Sequence, residues 1–212
     1  NLKIKTHKDF LQNCLKEWKL YELEFLELSL LNIKKNTVII DVWANIGNHT
    51  LYWLYKDFTV VSFEPIKQNF DLLEYNINNN KLEVKSFLFN VWLWNKKEKV
   101  KFLIDEKNMW ACQKSIEGTE EIQINLLDSY KIKPSLIKID VEGFELEVLE
   151  WAIKTIKKYK PDLIVECNSK QTQKFILDLW YKKLYNKYKN FYFIHETKKW
   201  KQLPQLLQST SV

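Results

Sequence analysis

The sequence predicts an α/β fold, doubly wound, with a mostly parallel sheet covered by helices on both faces. Three observations carry that expectation. Short apolar runs alternate with helical patterns, a small-residue loop joins the first run to a helix, and acidic residues recur where the runs end. The 212 residues, 46% hydrophobic and 15% aromatic, suffice for one domain over residues 1–212 with a real core, and they exclude a disordered chain.

In chain order, residues 1–35 read as a helical cap with Phe10, Cys14, Leu23, Leu26 and Leu30 as apolar positions. The run 38–41 is too short for a helix and reads as the first strand, after which Leu51, Tyr52 and Leu54 begin a helical pattern. Further strand-like runs occupy 59–63, 84–89, 136–140, 163–166 and 191–194. Between them, Phe70, Leu73 and Ile77 keep one face of a helix after Pro65, and Phe144, Val148, Ala152 and Ile156 keep one after Gly143. Residues 90–135 break this rhythm with short pieces at 100–104 and 122–126, the pattern of a β-rich insertion. Residues 200–212 form a polar tail.

Composition narrows the function. The net charge is +6, but the 33 basic residues are all Lys, scattered and alternating with Glu, so the fork that reads guanines and phosphates is missing. Nucleic acid is therefore not the expected partner, and a basic, aromatic-lined groove would be the sign against that expectation. No apolar run approaches the roughly 18 residues of a membrane span, and the N-terminus has no signal-peptide core, so a cytoplasmic location is expected. Cys14, Cys112 and Cys167 are odd in number and widely spaced, which points to free thiols, and no metal site is expected.

In such folds ligands bind at the carboxyl ends of the strands. Asp41, Glu64, Asp140 and Glu166 stand there. The loop from Asp41 to Thr50 can present backbone N–H groups to an anion, and its acidic start can bind hydroxyl or ammonium groups. A nicotinamide fold would want Gly-x-Gly-x-x-Gly, of which only Gly47 is present.

Asp41 with Gly47, then Phe63-Glu64-Pro65, then Ile139-Asp140-Val141-Glu142-Gly143-Phe144-Glu145 together resemble the FkbM-type family of S-adenosylmethionine-dependent methyltransferases. The resemblance runs from about residue 21 to 194, and residues 135–149 are its most specific part. It implies a Rossmann-like, mostly parallel seven-stranded sheet of the class I methyltransferase kind. It also implies S-adenosyl-L-methionine as cofactor. On that reading Asp41, Trp43, Ala44, Asn45 and Gly47 form the cofactor loop, and Asn48, His49 and Thr50 start the helix beneath the cofactor carboxylate. Glu64 accepts the ribose hydroxyls, where a structural ion pair is the plainer reading, and Asn90 lies by the adenine, where a turn Asn is the plainer reading. Asp140 and Glu142 stand nearest the transferred methyl, as base or hydroxyl anchor and as orienter, unless Glu142 only caps the helix after Gly143. His195 and Glu196 could reach a substrate. The acceptor implied is a small-molecule or glycan hydroxyl, with Gln113 and Tyr130 as pocket-lining candidates.

One loop member conflicts with this. Average proteins hold about 7% Gly, whereas this chain has 3 Gly and 9 Trp. Trp43, and with it Trp18, Trp94, Trp110, Trp151 and Trp180, stand where relatives of the family commonly carry Gly. Trp92 is a further candidate, Trp200 is undecided, and Trp53 reads as core. The pattern is that of UGA codons translated as Trp where the source decodes Gly. If Trp43 is literal, the alternative is a catalytically inactive, methyltransferase-like binding module.

Overall fold

A computed structural model describes residues 2–6, 22–95, 97–104, 112–114, 120–167, 169–187 and 189–199. Phe10, Cys14, Trp18, Trp110, Trp200 and the tail 200–212 lie outside the described residues.

The main sheet has seven strands. They are β1 (Val38–Val42), β2 (Thr59–Phe63), β3 (Ser86–Phe89), β8 (Pro134–Ile139), β9 (Asp162–Glu166), β10 (Tyr181–Lys187) and β11 (Asn190–His195), in the order β10-β11-β9-β8-β1-β2-β3. The pairs from β3 to β9 are all parallel, while β11 runs antiparallel to both β9 and β10. Three expectations shift in detail. Val84 belongs to a 3-10 turn, Glu83–Lys85, so the third strand starts later than the apolar run. The helical stretch after Gly143 is broken at Ala152 into α4 (Glu145–Trp151) and α5 (Ile153–Tyr159). β10 was not anticipated, because two exposed lysines and Leu184 separate its buried tyrosines.

Alternate residues of the central strands feed two cores. Ile40, Ile137 and Leu163 point to one face, and Ile39, Leu136 and Ile164 to the other. Because both faces are covered, the strands read as continuous apolar runs. α2 (Asn48–Tyr55) packs on the second face, where Trp53 is enclosed and its indole Nε1 donates to Ser29 Oγ at 2.9 Å. Trp53 is thus a satisfied core residue. Gly47 precedes α2 at φ 96°, and a Cβ there would meet Leu73 Cδ1 of α3 (Lys67–Asn79) at 2.6 Å, so the turn requires glycine.

After β3 the chain enters a second, four-stranded sheet of β4 (Val91–Leu93), β5 (Glu98–Ile104), β6 (Cys112–Lys114) and β7 (Glu120–Asn125), in the order β4-β7-β5-β6. α1 (Leu23–Ser29) lies against α2, and α6 (Lys170–Asp178) leads into β10. Cys167 is a buried free thiol. Among the described residues no helix is long and apolar enough to cross a membrane.

At the centre of the main sheet Asp41 of β1 and Lys138 of β8 are register partners. Asp41 is 0% and Lys138 3% exposed. The ammonium lies 3.6 Å from Asp41 Oδ1 and 3.1 Å from Asp140 Oδ2, and Thr50 Oγ1 donates to Asp41 Oδ2 at 2.7 Å. Burial disfavours the Lys138 charge, but Asp140 and Asp41 outweigh it and hold the ammonium above its ordinary range. Lys138→Met should cost about 3–5 kcal/mol in denaturant unfolding, since it leaves Asp41 buried without its cation. A loss below about 1 kcal/mol would mean the pair is not what orders the centre of the sheet.

Candidate active site

The carboxyl ends of β1, β2, β8 and β9 form one edge, and the two central strands, β1 and β8, make the switch point where doubly wound sheets bind ligands. The loop after β1 is pinned there by its backbone. The N–H groups of Trp43 and Ala44 both donate to Phe63 O, at 2.8 and 3.0 Å. Asn45 N donates to Glu64 Oε2 at 2.7 Å, and Ile66 N to Glu64 Oε1 at 2.9 Å. Glu64 therefore ties the loop after β1 to the turn after β2. Its burial pushes the carboxyl up to about 7, against the pull of the Ile66 and Asn45 N–H groups. Asn90 Nδ2 donates to Glu64 O and Pro65 O at 2.8 and 3.0 Å, holding the same turn.

The loop residues Asp41, Trp43, Ala44, Asn45 and Gly47, the first turn of α2 with Asn48, His49 and Thr50, and Glu64 with Asn90 are thus gathered at one edge. Two of them face inward. Asp41 spends its oxygens on Thr50 and Lys138, so the hydroxyl and ammonium it binds are the chain's own. His49 turns toward α1, with Nε2 3.2 Å from Glu22 Oε2.

Trp43 fills the space the loop should leave open. Its φ is 67°, it is 6% exposed, and its ring meets Trp92 edge-on at 5.1 Å. The indole Nε1 is buried with no hydrogen-bond partner. From Trp92 the ring contacts continue through Trp94, at 5.8 Å, to Trp151, at 4.7 Å. The cavity remaining between Val42, Trp43, Phe63, Pro65, Trp92 and Val141 is about 10 Å³. Small-molecule pockets take on the order of 300–1,000 Å³. With Trp at 43 the space between these residues is too small for a nucleoside.

Across the switch point the strand ends bring three carboxyl groups together. Oxygens of Asp140, Glu142 and Glu166 lie within 4.8 Å of one another. Asp140 and Glu166 follow register partners Ile139 and Val165, so they meet across adjacent strand ends. Burial would raise Asp140, but Lys138, then a hydrogen bond from Glu166, hold it below its ordinary value. Burial and the neighbouring Asp140 push Glu166 up to about 8. Of the two carboxyls, Glu166 is thus the one that holds a proton more readily. Glu142 is raised by burial and by Asp140. It does not satisfy the Gly143 N–H, which donates to Glu145 Oε1 at 2.8 Å instead. The sequence marked Glu166 only as a fourth acidic strand end. Its signal was the equal position of two acids at neighbouring strand termini.

His195 and Glu196 are not part of this edge. β11 runs against β9, with Asn190 opposite Glu166 and Phe193 opposite Leu163, so His195 ends at the far side of the sheet. There it lines a larger cleft of about 610 Å³ with Lys160, Trp180 and Tyr181, away from the carboxyl ends of the parallel strands. Tyr130 packs on Phe63 and Phe89, at 5.0 and 4.9 Å, beside the Glu64 end of the site. Gln113 lies in β6, and its side chain is outside the described residues.

No curated protein matches this chain. Among solved structures, the methyltransferase FkbM from Methylobacillus flagellatus KT superposes with a TM-score of 0.60 at 18% identity, over 78% of this chain and 45% of that one. The precorrin-6y C5,15-methyltransferase from Geobacter metallireducens GS-15 gives 0.54 at 11% identity, over 90% and 91%. A methyltransferase from Geobacter sulfurreducens gives 0.54 at 12%, over 87% and 84%. The chain spans less than half the length of the first of these, and at such identities the likeness shows the fold, that of class I methyltransferases. The Methyltransferase FkbM domain family matches residues 41–192, from the end of β1 into β11, and the protein belongs to that family.

Proposed function

We propose that this protein transfers a methyl group from S-adenosylmethionine to the hydroxyl of a small-molecule or glycan acceptor, a sugar or secondary-metabolite hydroxyl. The observation that carries the reading is the division of labour at one sheet edge. A loop pinned by Glu64 lies on one side of the switch point, and the Asp140 and Glu166 carboxyls, brought within 4.8 Å of each other, lie on the other. The cofactor supplies an activated methyl. The chain's own residues hold the loop, orient the acceptor and take its proton. A base works best when its pKa lies near the working pH, which favours Glu166 over Asp140, with Asp140 fixing it in place. The second reading, an inactive binding module, is favoured by the closed cavity beside Trp43.

Two measurements separate these roles, both on the form with Gly at position 43. Glu64→Ala should weaken S-adenosylmethionine binding about 10- to 100-fold in calorimetry, the loss of hydrogen bonds to a charged acceptor worth roughly 1.5–3 kcal/mol. Asp140→Asn should leave binding within about threefold and lower transfer to a hydroxyl acceptor about 10²-fold or more. Equal loss of binding in both would sink the assignment. The pH profile gives the second test. Glu166 is a base only when deprotonated, so turnover should rise as pH passes through about 8. Glu166→Gln should flatten that limb. A limb unchanged in Glu166→Gln would assign the proton to another group.

A further inference from the structure

Four independent features of the structure disagree with tryptophan at the loop after β1. The backbone of Trp43 is left-handed, at φ 67°. Ten described non-glycine residues share positive φ, and eight of them are Asn, Asp, Lys or Glu; the aromatic pair is Trp43 and Trp180, the latter at φ 65°. A bulky side chain in that region is a genuine outlier. Both positions are among those where the sequence pattern asks for glycine. Next, the Trp43 Nε1 is buried without a partner, unlike that of Trp53, which donates to Ser29. Third, the ring occupies the volume between Val42, Phe63 and Val141, leaving about 10 Å³. Last, the loop does not depend on the side chain for its shape, since the N–H groups of residues 43, 44 and 45 are all fixed by Phe63 O and Glu64.

We infer that positions 43 and 180 are glycine in the functional protein, and that glycine at 43 is what opens the cofactor site. Removing the indole at 43 enlarges the space lined by Phe63, Trp92 and Val141, next to the loop that Glu64 pins. The same loop leads into the N-terminus of α2, the chemistry that receives an anionic group. Trp180 supports the same conclusion from the opposite edge, where no cofactor is involved. It is 70% exposed, so no core packing recommends an indole there, while the turn from α6 into β10 sets its left-handed backbone. The chain's 3 Gly against 9 Trp then follow from UGA codons decoded as glycine but written as tryptophan. The role given to position 43 rests on the methyltransferase reading; the identity of position 180 does not.

The test therefore has two arms. In the first, S-adenosylmethionine is titrated calorimetrically into the chain as written, Trp43→Gly and Trp43→Ala. Binding should be absent in the written chain, restored in Trp43→Gly, and at least tenfold weaker in Trp43→Ala, whose Cβ keeps the backbone strain. In the second, the denaturation midpoints of Trp180→Gly and Trp180→Ala are compared. Glycine should unfold at the higher denaturant concentration, the reverse of its usual rank below alanine. Binding by the chain as written, as tight as by Trp43→Gly, would overturn the inference at 43. A higher midpoint for Trp180→Ala would overturn it at 180. If no version binds the cofactor while glycine still wins at 180, the decoding stands and the methyltransferase reading falls.

Discussion

One buried cation organises the functional edge of this protein. Enclosing a lysine ammonium costs several kcal/mol, which is offset only where the geometry supplies close counter-charges. Lys138 meets that condition because β1 and β8 pair in register, with Asp41 opposite it and Asp140 two residues on at the strand end. The consequences spread outward. Asp41 accepts from Thr50, which hydrogen-bonds Ser62 of β2 at 2.8 Å, so α2 is locked to two strands. On the other side Asp140 is fixed as an anion, and a second carboxyl beside it must then keep its proton. Burial raises Glu166 first, and the Asp140 charge that Lys138 stabilises raises it further. Replace the cation, and both the order of the sheet centre and the proton inventory of the acceptor side change together.

The sheet was legible in the sequence because burial on both faces gives apolar runs, and because acidic residues interrupt those runs where they leave the core. What failed follows from the same signals. β10 buries Tyr181 and Tyr185 but presents lysines between them, so an edge strand in solvent carries a weak pattern. Helix periodicity through Ala152 is kept by Ala152 N to Val148 O and Ile156 N to Ala152 O, yet the residue's own backbone (φ −96°, ψ 6°) breaks the helix. Strand direction left no trace in composition, which is why His195 could be read as reaching a substrate when antiparallel pairing carries it to the far side of the sheet. The strand-loop-helix turn after β1 was legible in the sequence, but the meeting of Asp140 with Glu166 depends on register between strands joined through α4 and α5, which a linear spacing does not disclose.

The contrast between Trp53 and Trp43 shows how packing and backbone compete. Both are buried and both contact other rings. Trp53 sits in a regular helix, where an aromatic side chain costs little, and its polar handle is satisfied. At Trp43 the backbone conformation is set before the side chain is considered, because hydrogen bonds from three successive N–H groups reach Phe63 O and Glu64. With the loop fixed, the only volume left for an indole is the one enclosed by Phe63, Trp92 and Val141. Overpacking of a core usually yields by backbone shifts of a few tenths of an ångström, but this loop has little room to shift, since moving it would break the Glu64 clamp. The side chain therefore adapts to the loop and forfeits its own hydrogen bond, and only about 10 Å³ of open space remains beside it.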